Sequence, residues 1–144
     1  MDRFGQIEPK ILFATNAYFY NGKICDTRET LAGVAKSIPS ILTTVVIPFV
    51  TQAPTEAGID NAVLWQDFLV EGAPLEFTPL AFNHPLYIMY SSGTTGVPKC
   101  IVHGHGGTLL QQSKEHVLHT NVAAGDKLFY FTTCGWMMWN WLVC

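Results

Sequence analysis

Two short apolar runs separated by a helical pattern constrain the fold of this chain most. Residues 11–14 are continuously apolar and residues 45–47 are β-branched throughout, which is typical of strands buried on both faces. Between them, apolar side chains recur at the spacing of one helix face, namely Leu31, Val34, Ala35 and Ile38, and Pro39 ends this pattern. A strand, a helix and a strand in about forty residues form a βαβ unit, which implies a parallel sheet with a right-handed crossover.

A third apolar run, residues 86–90, leads into a loop of hydroxyl side chains, glycines and one lysine. The loop reads Ser91-Ser92-Gly93-Thr94-Thr95-Gly96-Val97-Pro98-Lys99. Glycine lets backbone N–H groups approach an anion, hydroxyls donate hydrogen bonds, and lysine adds a compact positive charge. The spacing differs from the Walker pattern, because two residues separate Gly96 from Lys99 and no hydroxyl follows the lysine. We therefore predict a polyphosphate loop of another kind, at the carboxyl end of a strand. The alternative is a surface turn without a ligand.

The remaining segments are predicted from the same patterns. Residues 62–70 favour a short helix, residues 72–85 an extended connection with three prolines, residues 109–119 a helix, and residues 128–131 a strand. The apolar tail from 128 to 144 is slightly short of the roughly 18–20 residues that a membrane-spanning helix needs. A buried strand followed by a core segment is the preferred interpretation of this tail.

Composition excludes some classes of function. The net charge of −3 and the pI near 5.9 leave no basic surface for nucleic acid. With 49% hydrophobic and 13% charged residues, the chain suits a buried parallel sheet or a piece of a larger protein. The four cysteines form no CxxC pair, so neither a zinc site nor a redox dithiol is indicated. Cysteines without a pairing pattern, in a sequence that does not start with a signal peptide, predict a cytosolic (cytoplasmic) protein.

The loop is similar in order and spacing to the phosphate loop of the AMP-forming acyl-CoA synthetases, which belong to the adenylate-forming superfamily. Residues 103–107 resemble the histidine and paired-glycine segment of the acetyl-CoA synthetase branch, and residues 131–136 resemble the strand that leads into a Gly-Trp motif beside the acyl pocket. Within this family, Cys100 and residues 135–141 most resemble the acetoacetate-activating members. Residues 9–13 and 18–23 also resemble the N-terminal domain of those members.

The resemblance implies an α/β fold: part of the N-terminal domain of an adenylate-forming enzyme, with a largely parallel sheet flanked by helices. Residues 1–144 would be an internal fragment of that AMP-binding domain, with the C-terminal domain absent. It also implies an acid–thiol ligase, in which acetoacetate attacks the α-phosphate of ATP, pyrophosphate leaves, and CoA then displaces AMP from the acyl-adenylate. ATP and CoA are thus expected as substrates, and Mg²⁺ is expected with its ligands outside this chain. Roles in lipid metabolism and ketone-body use would follow.

The resemblance also assigns residues. The ATP phosphate loop comprises Ser91, Ser92, Gly93, Thr94, Thr95, Gly96 and Lys99. In this loop Lys99 supplies the charge, and Thr94 and Thr95 are the most direct hydroxyl donors. The acyl pocket is assigned to Trp136, Met137 and Met138, and CoA binding, on weaker grounds, to Tyr20 and Lys23. No complete catalytic set and no metal site are expected, so the chain alone should show no turnover.

Other functions stay open at this point. The chain could be a catalytically dead phosphate-binding or partner-binding truncation product, or a membrane protein inserted by its tail. A structural role is favoured over metal binding for His103 and His105, and a solvated helix face is expected for His116 and His119. The expected partners are the small molecules ATP, acetoacetate and CoA, with neither nucleic acid nor a membrane.

Overall fold

The computed structural model describes residues 2–54, 58–91 and 96–143. The chain divides into two compact units, Met1–Leu75 and Glu76–Cys144.

The first unit is built on a three-stranded parallel sheet. Its strands are β1 (Ile11–Thr15), β4 (Thr43–Ile47) and β5 (Ala62–Leu64), in the order β1-β4-β5. Helix α1 (Arg28–Ser37) lies between β1 and β4 in the chain, so the predicted strand–helix–strand unit and its parallel pairing are confirmed. β4 is central because its β-branched side chains can be buried on both faces, and Val45 is completely buried.

A β-hairpin is inserted between β1 and α1. It pairs β2 (Ala17–Tyr20) with β3 (Lys23–Asp26) in antiparallel register. Its two-residue turn is Asn21-Gly22, a dipeptide whose sequence predicts a turn. The prediction is confirmed, since both residues have positive φ (48° and 73°), as a type I′ hairpin turn requires. The two strands themselves were not predicted, because their alternation is short and their residues are largely exposed.

Asn16 fixes the loop that follows β4. Its side chain is completely buried, accepts a hydrogen bond from the Val50 N–H (3.1 Å) and donates to the carbonyl oxygens of Val50 (2.9 Å) and Ala53 (3.1 Å). Because the donors and the acceptor of this buried amide are paired, it fixes the loop without the desolvation cost of an unpaired polar group. The carboxyl ends of β1 and β4 are therefore joined by side-chain as well as backbone bonds.

The helix predicted over residues 62–70 is only partly correct. Residues Ala62–Leu64 form β5 and pair with β4, and α2 covers only Trp65–Phe68. The ladder with β4 overrides the local helical pattern, and the rings of Trp65 and Phe68 then meet Phe13 edge to face, at centroid distances of 6.3 and 5.5 Å. Residues 72–84 contain no helix or strand, as the extended connection predicts.

The second unit starts from an antiparallel pair. β6 (Pro85–Ser91) and β7 (Lys99–Gly104) are followed by α3 (His105–Ser113), which continues as a π-helix (Lys114–His119), and the unit ends in α4 (Met138–Val143). The predicted helix over 109–119 is confirmed, with an earlier start. The α/β class with a parallel sheet is likewise confirmed, although β6 and β7 themselves run antiparallel.

The strand predicted at residues 128–131 is wrong. These residues have no strand assignment, and Phe129 and Phe131 are more than four-fifths exposed. An apolar run forms a strand only when another strand completes its ladder, and within the described ranges no strand pairs with it. In the same part of the chain, no helix has the length and apolar character needed to cross a membrane.

Candidate functional site

The β6–β7 hairpin positions both ends of the predicted phosphate loop. Ser91 is the last residue of β6, Lys99 is the first of β7, and the two are direct cross-strand partners. Directly paired residues in an antiparallel ladder have Cβ atoms about 4.5–5.5 Å apart on one face of the sheet. The hydroxyl and the ammonium therefore start from the same face and the same end of the hairpin. Ser92, Gly93, Thr94 and Thr95 lie outside the described residues.

The described part of the loop fits an anion in conformation and charge. Gly96 has φ +88°, a left-handed conformation that side chains rarely adopt, so glycine is required there. Lys99 is exposed and takes part in neither of the two ion pairs found among the described residues. Within the described ranges no carboxylate lies at ion-pair distance from its ammonium group.

One face of the hairpin leads from this loop to a cavity. Along that face the cross-strand pairs are Ser91 with Lys99, Met89 with Ile101, and Tyr87 with His103. The cavity has a volume of about 390 Å³, within the range of small-molecule sites. It is lined by the end of the hairpin, one side of α3 and the start of α4: Tyr87, Met89, Val102, His103, Gly104, Gly107, Thr108, Gln111, Gln112, Met137, Met138, Asn140 and Trp141.

Two of the three residues predicted for the acyl pocket line this cavity. Met137 and Met138 do so, whereas Trp136 is not among the lining residues and is 54% exposed. Trp141 lines the cavity and was missed, although it stands three residues after Met138 and so shares a helix face with it. Helical periodicity in the aromatic tail was the signal that could have found it.

Two residues of the cavity lining carry a buried polar atom that has no hydrogen-bond partner among the described residues. These atoms are Nε2 of His103 and Oε1 of Gln112, and both are inaccessible to solvent. The imidazole of His103 lies 5.3 Å from the ring of Tyr87. Buried polar atoms are normally paired, so each of these two atoms carries a desolvation cost, and because neither is accessible to solvent neither faces the open cavity.

The two histidines of the π-helix differ in environment. His119 is exposed, as a solvated helix face predicts. His116 is half-buried with its ring 5.0 Å from that of Trp141, so the predicted solvated position is wrong for this residue. The apolar tail folds back as α4 and covers it, which the helical pattern of residues 109–119 alone could not show.

The start of α3 is packed tightly and its first donors are used. The N–H groups of His105 and Gly106 donate to the carbonyls of His84 (2.9 Å) and Phe82 (2.8 Å). A Cβ on Gly106 would stand 2.1 Å from Cδ2 of Phe82. The helix start therefore serves packing, and glycine is needed at Gly106 for close approach. A second cavity of about 610 Å³ lies beside this contact and shares Thr108 and Gln112 with the first.

The residues predicted for CoA lie in the first unit. Tyr20 and Lys23 are cross-strand partners beside the β2–β3 turn, and both are exposed. For metal binding, residues 2–54, 58–91 and 96–143 contain no group of three or more His, Cys, Asp or Glu side chains able to hold an ion.

Comparison with known proteins identifies relatives over nearly the whole chain. Residues 3–144 match the model of the family described as AMP-binding enzyme. The chain is 53% identical to an acetoacetyl-CoA synthetase of Gallus gallus and 43% identical to a malonamoyl-CoA synthetase of Penicillium aethiopicum, in each case over 99% of its length. Its fold matches the structure of acetoacetyl-CoA synthetase from Streptomyces lividans with a TM-score of 0.88 at 40% identity, over 99% of this chain and 21% of that one. The chain covers 22% of the Gallus protein and 21% of the Penicillium protein, about a fifth of the length of these relatives.

Proposed function

The chain belongs to the AMP-binding enzyme family, and from this premise we propose that it supplies the phosphate loop and part of the acyl pocket of an AMP-forming acetoacetate–CoA ligase. Its 144 residues would form an internal part of the large N-terminal AMP-binding domain. The ligase activity is proposed for a protein as long as the relatives, not for the 144-residue chain alone. The observation that carries the proposal is the cross-strand pairing of Ser91 with Lys99 at the loop end of the hairpin, where Lys99 is exposed and makes no ion pair with any described residue.

The reaction has two steps. The carboxylate of acetoacetate attacks the α-phosphorus of ATP, the bond to the β,γ-pyrophosphate breaks, and acetoacetyl-AMP forms. The thiol sulfur of CoA then attacks the acyl carbon, AMP leaves, and the thiol proton passes to solvent or a base. The loop's part is electrostatic, because negative charge grows on the departing pyrophosphate. Lys99 would neutralise it, with hydroxyl donors from Ser91, Ser92, Thr94 and Thr95, while Gly93 and Gly96 let the backbone approach.

The antiparallel hairpin suits this task. It holds the Ser91 and Lys99 ends of the loop at a fixed separation. Because these two residues are already positioned, little conformational entropy is lost when the transition state forms. The lysine is also the first residue of a strand paired along six residues, Lys99–Gly104, which limits the positions that its stem can take.

The acyl group is proposed to lie in the second-unit cavity. The names of the Gallus and Penicillium relatives refer to acetoacetate and malonamate, two acids of one shape that share a carbonyl at carbon 3 and differ in a terminal methyl or amino group. Met137 and Met138 line the cavity and can adapt to a short acyl chain. Trp136 is included because it directly precedes them. CoA is proposed to contact Tyr20 and Lys23.

Mg²⁺ would accompany ATP, but the described residues offer no cluster of carboxylates to hold it. We also propose a cytosolic location and a role in the use of ketone bodies, on the basis of the cysteine usage and the acetoacetate-activating relatives.

The proposal is tested by placing the segment in a full-length relative. Residues 3–144 replace the matching segment of the Gallus synthetase, and acetoacetate-dependent exchange of labelled pyrophosphate into ATP is measured. Exchange at a rate similar to that of the unaltered Gallus enzyme is expected. A soluble, folded chimera without such exchange would refute the ligase proposal. If the 144-residue chain nevertheless bound pyrophosphate, the catalytically dead phosphate-binding module would be the correct alternative.

A further inference from the structure

The short helix α4 forms one wall of the first cavity and cannot hold its position by itself. It has six residues, fewer than two turns, whereas isolated helices are marginally stable even at about 12–15 residues. Its position must therefore come from packing against other elements. Met138, Asn140 and Trp141 of this helix line the cavity of about 390 Å³. Whatever fixes α4 thus also fixes the shape of that cavity.

Trp141 is the side chain that anchors α4. Its ring contacts the His116 imidazole at a centroid distance of 5.0 Å, tilted by 39°, and the Tyr130 ring at 5.8 Å, edge to face. Aromatic pairs at such separations attract each other beyond the effect of the area that they bury. Trp141 also stands three residues after Met138, so the two side chains share one face of the helix. A shift of the Trp141 ring would therefore move Met138 as well.

The two ring partners of Trp141 differ in how firmly they are held. Tyr130 lies in a segment without helix or strand. His116 lies in the π-helix that continues α3, and its backbone carbonyl accepts a hydrogen bond from the Val122 N–H at 2.8 Å. Because a helix and the loop that follows it both hold His116, its imidazole is the fixed side of the contact with Trp141.

We infer that His116 is a positioning residue for acyl activation, because its ring holds Trp141 in place and, through Trp141, the Met138 wall of the cavity. His116 itself is not among the lining residues of the cavity. That this wall meets the acyl group rests on the proposed function. The Nδ1 atom of His116 is buried and has no hydrogen-bond partner among the described residues. The ring, and not a hydrogen bond from that nitrogen, therefore makes the contact, so phenylalanine should be able to replace His116.

The first test uses the Gallus chimera and separates positioning from stability by comparing two substrates. Pyrophosphate exchange is measured over a range of acetoacetate and a range of ATP concentrations. If acetoacetate binds only when α4 is in place, its apparent affinity falls with the fraction of molecules in that state. Loss of an aromatic contact corresponds to about a twofold to tenfold change in such an equilibrium. We expect His116→Ala to raise the KM for acetoacetate by about that factor and to leave the KM for ATP unchanged.

Two further variants serve as the rescue and the control. His116→Phe restores an aromatic ring and should keep the original KM for acetoacetate. His119→Ala removes an exposed imidazole from the same π-helix and should change neither KM. A residue that only stabilises the fold would lower kcat through the active fraction and leave both KM values as they are. The inference is overturned if His116→Ala shows that result, if it raises both KM values alike, or if His116→Phe does not restore the KM for acetoacetate.

The second test measures the position of the wall directly, in the 144-residue chain. The ¹³C and ¹H NMR signals of the Met138 methyl group are compared between the chain and its variants. We expect His116→Ala to shift these signals, His116→Phe to return them towards their original positions, and His119→Ala to leave them unchanged. Met138 signals that are the same in His116→Ala as in the unaltered chain would refute the positioning role.

Failure of this inference is distinguishable from failure of the proposed function. If the chimera exchanges pyrophosphate with acetoacetate and His116→Ala leaves the KM for acetoacetate unchanged, the ligase proposal stands and the positioning role is wrong. If the unaltered chimera shows no exchange while His116→Ala shifts the Met138 signals and His116→Phe restores them, the ligase proposal is wrong and His116 still positions the cavity wall.

Discussion

Two adjacent glycines in the first turn of α3 should respond to the same substitution with opposite signs. Gly106 and Gly107 are both helical, and replacing a helical glycine by alanine stabilises a helix by up to about 1 kcal/mol. At Gly107 nothing lies within 4 Å of the added Cβ, so Gly107→Ala should raise the free energy of unfolding by about 0.5–1 kcal/mol. This variant is the matched control.

At Gly106 the added methyl group would meet the Phe82 ring. The Cβ position is 2.1 Å from Cδ2 and 2.5 Å from Cγ of Phe82, so the contact includes the root of the ring and cannot be relieved by moving its tip alone. Overpacking of this kind costs about 1–3 kcal/mol, which exceeds the helix-propensity gain. We expect Gly106→Ala to lower the free energy of unfolding by up to about 2 kcal/mol.

The assay is urea denaturation followed by tryptophan fluorescence. Three of the four tryptophans, Trp136, Trp139 and Trp141, lie in the second unit and report on its unfolding. The double variant with Phe82→Ala should remove most of the penalty, because the clashing ring is gone. The packing argument is refuted if Gly106→Ala stabilises the chain as much as Gly107→Ala, or if Phe82→Ala leaves the penalty unchanged.

Other predictions follow from the first unit. Asn16→Ala should destabilise the chain by about 2–5 kcal/mol in urea denaturation, because it leaves the buried N–H and carbonyl of Val50 unpaired. Asn61→Ala loses a part-buried bond to the Ile41 carbonyl and a long one (3.5 Å) from the Thr44 hydroxyl, so it should cost only about 1–2 kcal/mol, and equal losses would contradict the argument. Hydrogen bonds from the Arg28 side chain, and secondarily from its backbone N–H, hold the pKa of Asp26 below its ordinary value of 3.8. The carboxylate's contribution is therefore complete above pH 3.8 and disappears as pH falls through the lowered pKa, so the stability difference between the chain and its Asp26→Asn variant should shrink below pH 3.8. A difference that is constant from pH 7 to pH 2 would contradict this.

Local patterns predicted those elements whose own residues already suit the final fold. The strands β1 and β4, the helix α1 and the Asn21-Gly22 turn could be predicted because apolar runs, helical spacing and turn chemistry all agreed with the final fold. The strand predicted at residues 128–131 failed because a strand depends on a ladder partner that its own sequence does not specify. For the same reason β5 was mistaken for the start of a helix.

The residues of the candidate site also differ in how far the sequence could predict them. The hydroxyl-rich loop was predicted from residue types and order, whereas Met137 and Met138, which line the cavity, were predicted from the family resemblance. Gln112 and Trp141 were missed, because their positions depend on how α3 and α4 pack against the hairpin. Asn16 was missed because one amide after a strand carries no pattern, and its hydrogen bonds join it to residues 34 and 37 positions away.

The central claim is that the hairpin loop ending at Lys99 holds the phosphates of ATP during acyl activation. The most direct measurement is acetoacetate-dependent ATP–pyrophosphate exchange in the Gallus chimera, with Lys99→Ala compared with Lys127→Ala. Lys127 is also an exposed lysine of the second unit and makes no ion pair among the described residues, which makes it the matched control. Removal of a group that stabilises developing charge slows a reaction by about 100- to 1,000-fold. The account predicts such a loss for Lys99→Ala and an unchanged rate for Lys127→Ala; equal rates for the two variants would contradict it.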